Sequence, residues 1–242
     1  MAGGDNDMRH EALALFEQGI KSRYELDVII GIDEAGRGAL AGPVYAGACA
    51  IMDPRGTTFI NDSKLLSQRQ REQAFELLPA HALFATGSST AAEIDADGIV
   101  LATYRAMEKA LLLLLPTVRQ HWGIGSRIGV VVDGPLLPPF LERQEHLSSM
   151  AIVDADATVL SVAGASIAAK VSRDAAMRVM ARHVHGYGFE GNVGYGTRQH
   201  IEALRTRGPS SEHRRTFVVK QLVETEELPL GRAKQPDAGK RR

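Results

Sequence analysis

The sequence lacks several features that would assign it to a specialised class of protein. Its one cysteine, Cys49, cannot form an intrachain disulfide, and no Cys and His residues have the spacing of a zinc site. The leucine run 111–115 is far shorter than the ~20 apolar residues that span a bilayer. The N-terminus has no basic segment followed by an apolar one, as a secretory signal would have. We therefore expect a cytoplasmic protein without a membrane partner.

A net excess of charge is absent as well. The 242 residues carry a formal net charge of −1, so no basic field over the whole protein indicates a nucleic-acid partner. The charge is uneven, because residues 162–217 contain nine Lys or Arg and four Asp or Glu. Such a segment suits phosphate binding, and it is equally typical of a solvated helical surface. The hydrophobic content of 44% is enough for one substantial core.

One stretch places two acids directly after a predicted strand. The run Val28–Ile32 is apolar and rich in β-branched side chains, which predicts a buried strand, and Asp33 and Glu34 follow it. Successive strand residues face opposite sides, so both acids can serve one site only if the chain leaves strand geometry there. The Gly-Arg-Gly sequence at 36–38 would permit that, and its arginine offers a planar cation to phosphate. The alternative is a turn with solvated charges.

A second apolar run repeats this arrangement. Residues 128–132 are again rich in β-branched side chains, and they end on Asp133 and a Gly-Pro turn. An isolated Asp-Gly at a strand end is usually only a turn. In open α/β sheets, however, ligands collect beyond the carboxyl ends of the strands. Beside Asp33 and Glu34, the pattern therefore indicates a third functional carboxylate.

Hydrophobic periodicity predicts the remaining elements. We expect a helix capped by Ser67, and a capping box at Thr90 that opens a helix of about 25 residues. Gly87 should end the third strand, and Pro116 should end the long helix. The expected strands cover 28–32, 44–52, 82–86, 128–132 and 150–153, and the expected helices cover 8–21, 68–78, 91–115 and 161–183.

Several of these blocks closely resemble the ribonuclease HII family. The matching blocks include the acid and glycine segment at 33–44, the Asp-Ser-Lys element at 62–64, the Ser-Ile-Ala-Ala-Lys run at 166–170 and the Gly-Tyr-Gly-Thr element at 194–197. The resemblance covers roughly residues 28–217. It implies an α/β, ribonuclease H-like fold, in which a central mixed β-sheet is flanked by helices and followed by a helical C-terminal portion. We expect an N-terminal extension (1–26), a catalytic domain (27–223) and a disordered tail (224–242).

The resemblance also implies the roles of individual residues. In the family, a catalytic Asp lies ten positions before the Ser of the Ser-Ile-x-Ala-Lys run, which selects Asp156 over the competing Asp154. The implied catalytic and metal-binding residues are Asp33, Glu34, Asp133 and Asp156. Because all four are hard oxygen ligands, they select Mg²⁺ or Mn²⁺ over zinc. The implied substrate-binding residues are Gly36, Arg37, Gly38, Ser63, Lys64, Ser166, Lys170 and Tyr195.

These roles imply a two-metal endoribonuclease, which we expect to be a monomer. Its substrates would be RNA–DNA hybrids, in which it hydrolyses the RNA strand, and duplex DNA with single ribonucleotides, cut on their 5′ side. Asp154, Leu65 and Val193 depart from the family pattern and remove expected features. Two alternatives therefore stay open, which are a non-catalytic hybrid-binding protein and a nuclease with altered substrate choice. The sister family, ribonuclease HIII, lacks Gly-Arg-Gly after its acids and has a longer N-terminal domain.

Overall fold

A five-stranded mixed sheet forms the centre of the computed structural model, which describes residues 2–61 and 64–218, and side chains from residue 7 onward. The strands are β1 (Val28–Ala35), β2 (Val44–Ile51), β3 (Ala82–Ser89), β4 (Ile128–Asp133) and β5 (Leu147–Ile152). Their spatial order is β3-β2-β1-β4-β5. The first three strands are antiparallel, and β4 and β5 run parallel to β1. This confirms the expected α/β fold with a mixed sheet.

Helices cover both faces of this sheet. They are α1 (Ala2–Arg23), α2 (Gln68–Leu77), α3 (Ala91–Asp97), α4 (Ile99–Trp122), α5 (Leu160–Ala181), α6 (Phe189–Asn192) and α7 (Arg198–Arg207). Short 3₁₀ turns lie at Leu78–Ala80, Pro139–Arg143 and Ala155–Ala157. No helix among the described residues is long and apolar enough to cross a membrane.

Alternate residues of β1 face the two long helices. Ile30 and Ile32 belong to the core cluster that contains α4, whereas Ile29 packs in a cluster with the first turn of α5. Small residues let α5 approach the sheet closely: a Cβ atom at Gly31 would fall 2.3 Å from the backbone of Ser161. The centre of the sheet is therefore buried on both sides, as parallel pairing usually requires.

The long helical segment is divided differently from the prediction. Gly98 has φ +83°, so it separates α3 from α4 and caps both. Pro116 does not end the helix, because α4 continues to Trp122. Pro116 is exposed, so water can reach the carbonyl group that loses its partner there, while Leu115 and Val118 stay packed in the core. The prediction that Pro116 ends this helix is therefore wrong.

The third strand is also longer than predicted. Gly87 lies inside β3, which continues to Ser89 because its pairing with β2 extends to Val44. A Cβ atom at Gly87 would fall 2.2 Å from the carbonyl oxygen of Ala106 in α4. This glycine therefore serves close packing rather than a turn. By contrast, the N-cap predicted at Ser67 and the capping box predicted at Thr90 are confirmed, and Ser67 also forms a capping box with Gln70.

The N-terminal helix caps another helix far along the chain. α5 has no side-chain cap of its own, and the carboxylate of Glu17 in α1 accepts the Ser161 N–H at 2.6 Å. Glu17 is buried, and this burial raises the pKa of its carboxyl although the hydrogen bond opposes the shift. Leu13 and Ile20 are buried beside it. The proposed boundary between an extension (1–26) and a catalytic domain stays a prediction, and the tail at 224–242 lies outside the described residues.

Replacing Glu17 should weaken this docking. Glu17→Ala leaves a helix-terminal N–H group buried without a partner, and we expect the free energy of unfolding to fall by about 2 kcal/mol. Urea denaturation followed by far-UV circular dichroism measures this change. Glu11→Ala, at an exposed position of the same helix, is the matched control. Equal stability of the two variants would show that the contact does not contribute.

Candidate active site

Three of the four predicted carboxylates meet at one edge of the sheet. The parallel pairing of β1 with β4 ends at Ile32 and Val132, so the next residues, Asp33 and Asp133, are neighbours at the strand ends. Glu34 follows on β1, and all three acids line one cleft of about 280 Å³. The convergence follows from the register of two parallel strands.

The local geometry differs from the expectation in one respect. The chain does not leave the strand after the acids, because β1 stays paired with β2 as far as Ala35. Asp33 hydrogen-bonds with Ser166 of α5, whereas Glu34 also borders the Val100 and Thr103 side chains of α4. The pairing of β1 with β4 ends at Ile32 and Val132, just before the acids. The cleft can therefore extend around the end of the sheet, where both acids can serve one site.

Asp156 lies behind these acids in the 3₁₀ turn Ala155–Ala157. The Ala155 N–H donates to Asp133 Oδ1 at 2.7 Å, which ties this turn to the end of β4. Asp156 is 1% exposed, and its Oδ2 atom lies 2.8 Å from Lys64 Nζ. Apart from this ion pair, no described group donates a hydrogen bond to either carboxylate oxygen of Asp156. The competing residue Asp154 is exposed.

The acids disfavour one another's negative charges. Burial raises the pKa of Asp33 well above its usual value, and the charges of Glu34 and Asp133 raise it further. Burial also raises the pKa of Glu34, although Arg37 opposes the shift by donating to Glu34 Oε1 at 3.1 Å. Burial is also the main cause of the raised pKa of Asp133, and the negative charge of Asp156 raises it further. Protons or cations must therefore accompany this cluster.

Hard divalent cations fit these donors. The predicted ligands are carboxylates only, and the buried Asp156 carboxylate has no described partner other than the Lys64 ammonium, which is a setting that a metal ion satisfies. Among the described residues, no three His, Cys, Asp or Glu side chains form a group that could hold one ion. Mg²⁺ commonly uses one or two carboxylates and completes its shell with water and substrate oxygens. The arrangement agrees with that mode of binding.

Most of the predicted substrate-binding residues lie around the same cleft. Lys170 Nζ is 5.4 Å from the ring centroid of Tyr195 and 3.0 Å from Asp174 Oδ1. The cleft also contains a cation that the sequence analysis missed, Arg71, which lies in the first turn of α2, seven residues after Lys64. The predicted residues that line the cleft besides its acids are Gly36, Lys64, Ser166, Lys170 and Tyr195.

The other three predicted substrate-binding residues do not line this cleft. Arg37 borders a neighbouring pocket, and a Cβ atom at Gly38 would meet no atom within 4 Å, so that glycine lies at an open surface. Ser63 lies outside the described residues. Because location alone does not test a role, the roles of all these side chains stay predictions.

A buried arginine supports both the glycine turn and the loop tyrosine. Arg173 is fully buried and donates from Nε to the Pro43 carbonyl at 3.0 Å. Its guanidinium carbon lies 5.1 Å from the ring centroid of Tyr195. Gly36 has φ +91°, and a Cβ atom there would fall 1.8 Å from Arg173 Nε. The turn beside the acids therefore requires glycine for its conformation and for space.

A second buried arginine fixes the same loop from the C-terminal side. Arg214 donates from Nε to the Gly42 carbonyl at 2.9 Å and from Nη1 to the Arg37 carbonyl at 2.8 Å. Burial, followed by the charge of Arg173, lowers its pKa to about 9. Sequence analysis did not predict this pair, because a buried arginine has no periodic signature. The only available signal was that both residues lie within the stretch 28–217 that resembles the family.

Two buried histidines support the backbone of Tyr195. The Ser210 N–H donates to His213 Nδ1 at 2.9 Å, so His213 carries its proton on Nε2. That proton points to His200 Nε2 at 2.9 Å, and His200 Nδ1 therefore donates to the Tyr195 carbonyl, also at 2.9 Å. The chain of hydrogen bonds requires both rings to be neutral. Burial lowers the pKa of both, and that of His213 falls to about 4.

Comparisons with known proteins identify the family of this chain. A family model described as ribonuclease HII matches residues 30–222. A ribonuclease HII from Geobacillus sp. (strain WCH70) is 42% identical over 212 residues, which cover 87% of this chain and 69% of the relative. A ribonuclease HII from Burkholderia pseudomallei (strain 1710b) is 41% identical over 194 residues, which cover 79% of this chain and 83% of the relative.

Solved structures show the same fold. The structure of a PCNA:RNase HII complex from Archaeoglobus fulgidus aligns with a TM-score of 0.63 and 24% identity, covering 84% of this chain and 98% of that one. A Bst-RNase HIII in complex with Mn²⁺ aligns with a TM-score of 0.60 and 17% identity, covering 82% and 70%. At these identities the likeness extends to the fold alone.

The histidine chain predicts a pH-dependent stability. Between pH 6.5 and about 4, the unfolded protein binds a proton at His213 and the folded protein does not, so stability should fall as the pH is lowered through this window. His213→Gln removes this group. The slope of unfolding free energy against pH should then decrease by up to about 1.4 kcal/mol per pH unit.

Urea titrations at several pH values measure this slope. The control is His146→Gln, which makes the same replacement at an exposed position. If the slope of the His213→Gln variant equals that of the unmodified protein, the buried pair does not titrate as the geometry requires.

Proposed function

Because the chain belongs to the ribonuclease HII family and is therefore a metal-dependent type 2 ribonuclease H, we propose that it hydrolyses the RNA strand of RNA–DNA hybrids and cuts duplex DNA on the 5′ side of single ribonucleotides. The observation that carries this proposal is the meeting of Asp33, Glu34 and Asp133 at one sheet edge, beside Lys170 and Tyr195. The protein acts in the cytoplasm as a monomer.

Two divalent ions, Mg²⁺ or Mn²⁺, would be held by Asp33, Glu34, Asp133 and Asp156. When bound, such a pair supplies an activated water and stabilises the leaving oxygen of a phosphodiester. Burial and neighbouring charges raise the pKa values of Asp33 and Asp133, so bound cations would stabilise their ionised forms. This role is supported by the all-oxygen donor set and by the buried Asp156 carboxylate.

The cationic side chains of the cleft would bind the substrate backbone. Lys170 and Arg71 line the cleft beside the acids and oppose their repulsion of phosphate. Lys64 pairs with Asp156 at 2.8 Å, and its side chain is 68% exposed. Its ammonium group would therefore also be able to approach a phosphate oxygen at the cleft.

Tyr195 would recognise the ribonucleotide itself. Its ring is partly exposed at the cleft, and Lys170 and Arg173 lie near its face. A ring held in this way can stack on a sugar or base, and its hydroxyl can reach a 2′-hydroxyl group. Gly36 lines the same cleft, where it would contact the same nucleotide. Together these groups would distinguish RNA from DNA at one position.

The departures from the family pattern remove basic groups but no acid. Leu65 is 58% exposed where the family has a second lysine, and Val193 is half-buried at the end of α6. Asp154 adds a negative charge that raises the pKa of Asp133. We infer weaker phosphate binding than in a typical member and intact chemistry. A non-catalytic binder would gain nothing from clustered carboxylates at a phosphate, and metal-dependent cleavage separates the two readings.

The first experiment is cleavage of a labelled DNA duplex that contains one ribonucleotide. With Mg²⁺ or Mn²⁺ we expect a single cut on the 5′ side of the ribonucleotide, and with chelator no cut. Asp133→Asn keeps an oxygen for the Ala155 N–H but loses the charge, so the rate should fall by about a hundredfold or more.

Asp53→Asn is the control for this carboxylate change, since Asp53 follows the opposite end of β2. Near-normal cleavage by the Asp133→Asn variant would show that the carboxylate is misassigned. Binding of the duplex without any cleavage, in every metal and by the unmodified protein, would favour the non-catalytic alternative.

Replacing the loop tyrosine should affect recognition more than folding. Tyr195→Ala removes the stacking ring, and cleavage at a lone ribonucleotide should fall by about 10- to 100-fold. Tyr195→Phe keeps the ring and tests the hydroxyl alone. Tyr24→Ala, at another exposed tyrosine beside an arginine, is the control. Melting curves accompany the assay, and a large loss of stability in the Tyr195→Ala variant would assign the ring to packing instead.

A further inference from the structure

A second pocket lies on the other side of the acids, and most of its lining is uncharged. It shares Glu34 and Asp133 with the cleft, but its remaining walls come from α4 and from the loop after β4. Its volume is about 190 Å³. Apart from Glu34, Asp133 and Arg37, its lining has no charged side chain, and it consists of Val100, Thr103, Tyr104, Met107, Val132, Gly134, Pro135 and Leu136.

Apolar side chains form the mouth of this pocket. Leu136 is 68% exposed and Val100 is 47% exposed, although each lines a concave site. Tyr104 is half-buried between them and the core cluster of α4. Exposed apolar residues around one aromatic ring are typical of a surface that receives a flat, partly apolar ligand.

The sheet geometry places this pocket and Tyr195 on opposite sides of the acids. Asp33 contacts Ser166 of α5, on the side of the cleft that holds Tyr195. Glu34 borders α4 and lines both the cleft and the second, mostly apolar pocket. A nucleic-acid strand with one phosphate at the acids would therefore extend towards Tyr195 in one direction and towards the apolar pocket in the other.

We propose that the apolar pocket binds the nucleoside on the 5′ side of the scissile phosphate. This inference rests on the proposed function, in which Tyr195 takes the ribonucleotide on the 3′ side. The pocket, at about 190 Å³, is smaller than the ~300 Å³ typical of sites for drug-sized ligands, so it suits the base of that nucleoside rather than a whole nucleotide. Tyr104 offers a stacking surface, and Leu136 closes over the ring.

Arg37 completes this subsite at its rim. Its guanidinium pairs with Glu34 at 3.1 Å, yet its side chain is 51% exposed, so it can also approach the phosphate that follows the bound nucleoside. Such a contact explains why an arginine, rather than a small residue, lies between the two glycines. The pocket would therefore bind the strand on the 5′ side of the cut regardless of base identity, since every base has a face that can stack.

The test combines a change in the protein with a change in the substrate. The duplex carries one ribonucleotide, and its 5′ neighbour is either a normal nucleotide or an abasic deoxyribose. The protein variants are Leu136→Ser, at an exposed loop position, and Tyr104→Ala. The matched control is Leu137→Ser, which changes the adjacent leucine outside the pocket lining. Cleavage gives kcat/KM, and fluorescence anisotropy with Ca²⁺ in place of Mg²⁺ gives binding affinity.

We expect the abasic duplex to bind about tenfold more weakly to the unmodified protein and to be cut with a correspondingly lower kcat/KM. Leu136→Ser and Tyr104→Ala should weaken binding of the normal duplex by a similar factor but leave binding of the abasic duplex unchanged. Equal losses on both duplexes would overturn the inference. Because binding is measured separately, failure to cleave by the unmodified protein would count against the proposed function alone.

Discussion

Mutual repulsion between carboxylates at one sheet edge is the constraint on which the rest of the site depends. Asp33 is buried next to Glu34 and Asp133, and each of these acids has a raised pKa because of burial and neighbouring charge. Folding alone does not relieve this repulsion. The surrounding structure opposes it with Lys64 on Asp156 and Arg37 on Glu34. Metal ions would relieve it more completely, so the site is built to require them.

The backbone around the acids is held by groups that are costly to bury. Arg173 and Arg214 are fully buried and hold the loop carbonyls between Arg37 and Pro43. His200 and His213 hold the Tyr195 carbonyl in one tautomeric arrangement. If one of these buried groups lost its partner, a polar atom would stay buried without a hydrogen bond, at a cost in free energy. The loop conformations are therefore strongly specified. The side chains proposed to contact substrate are thus held in place by buried arginines and histidines and not by the loops alone.

Local pattern predicted a large part of this structure. The strands that deliver Asp33 and Asp133, the N-cap at Ser67 and the capping box at Thr90 follow from short segments, and they were predicted correctly. The predictions that Pro116 ends a helix and that Gly87 ends a strand were wrong. The effect of Pro116 depends on its exposure on α4, and that of Gly87 on the close approach of α4 to the sheet. The buried arginines and the histidine chain connect segments that are distant in sequence, so no window of residues reveals them. The family-like spacing alone selected Asp156.

The hydrogen bond between Glu17 and Ser161 has a consequence for synthesis on the ribosome. It joins residues 144 positions apart, so the N-terminal helix leaves the ribosome long before its partner exists. The pairing of β1 with β4 also waits for about a hundred residues. During that interval the apolar face of the helix and the central strand lack their final neighbours. The first segments of a nascent chain can therefore reach their final packing only after late segments have been synthesised. Until then their apolar surface is exposed, which favours chaperone binding.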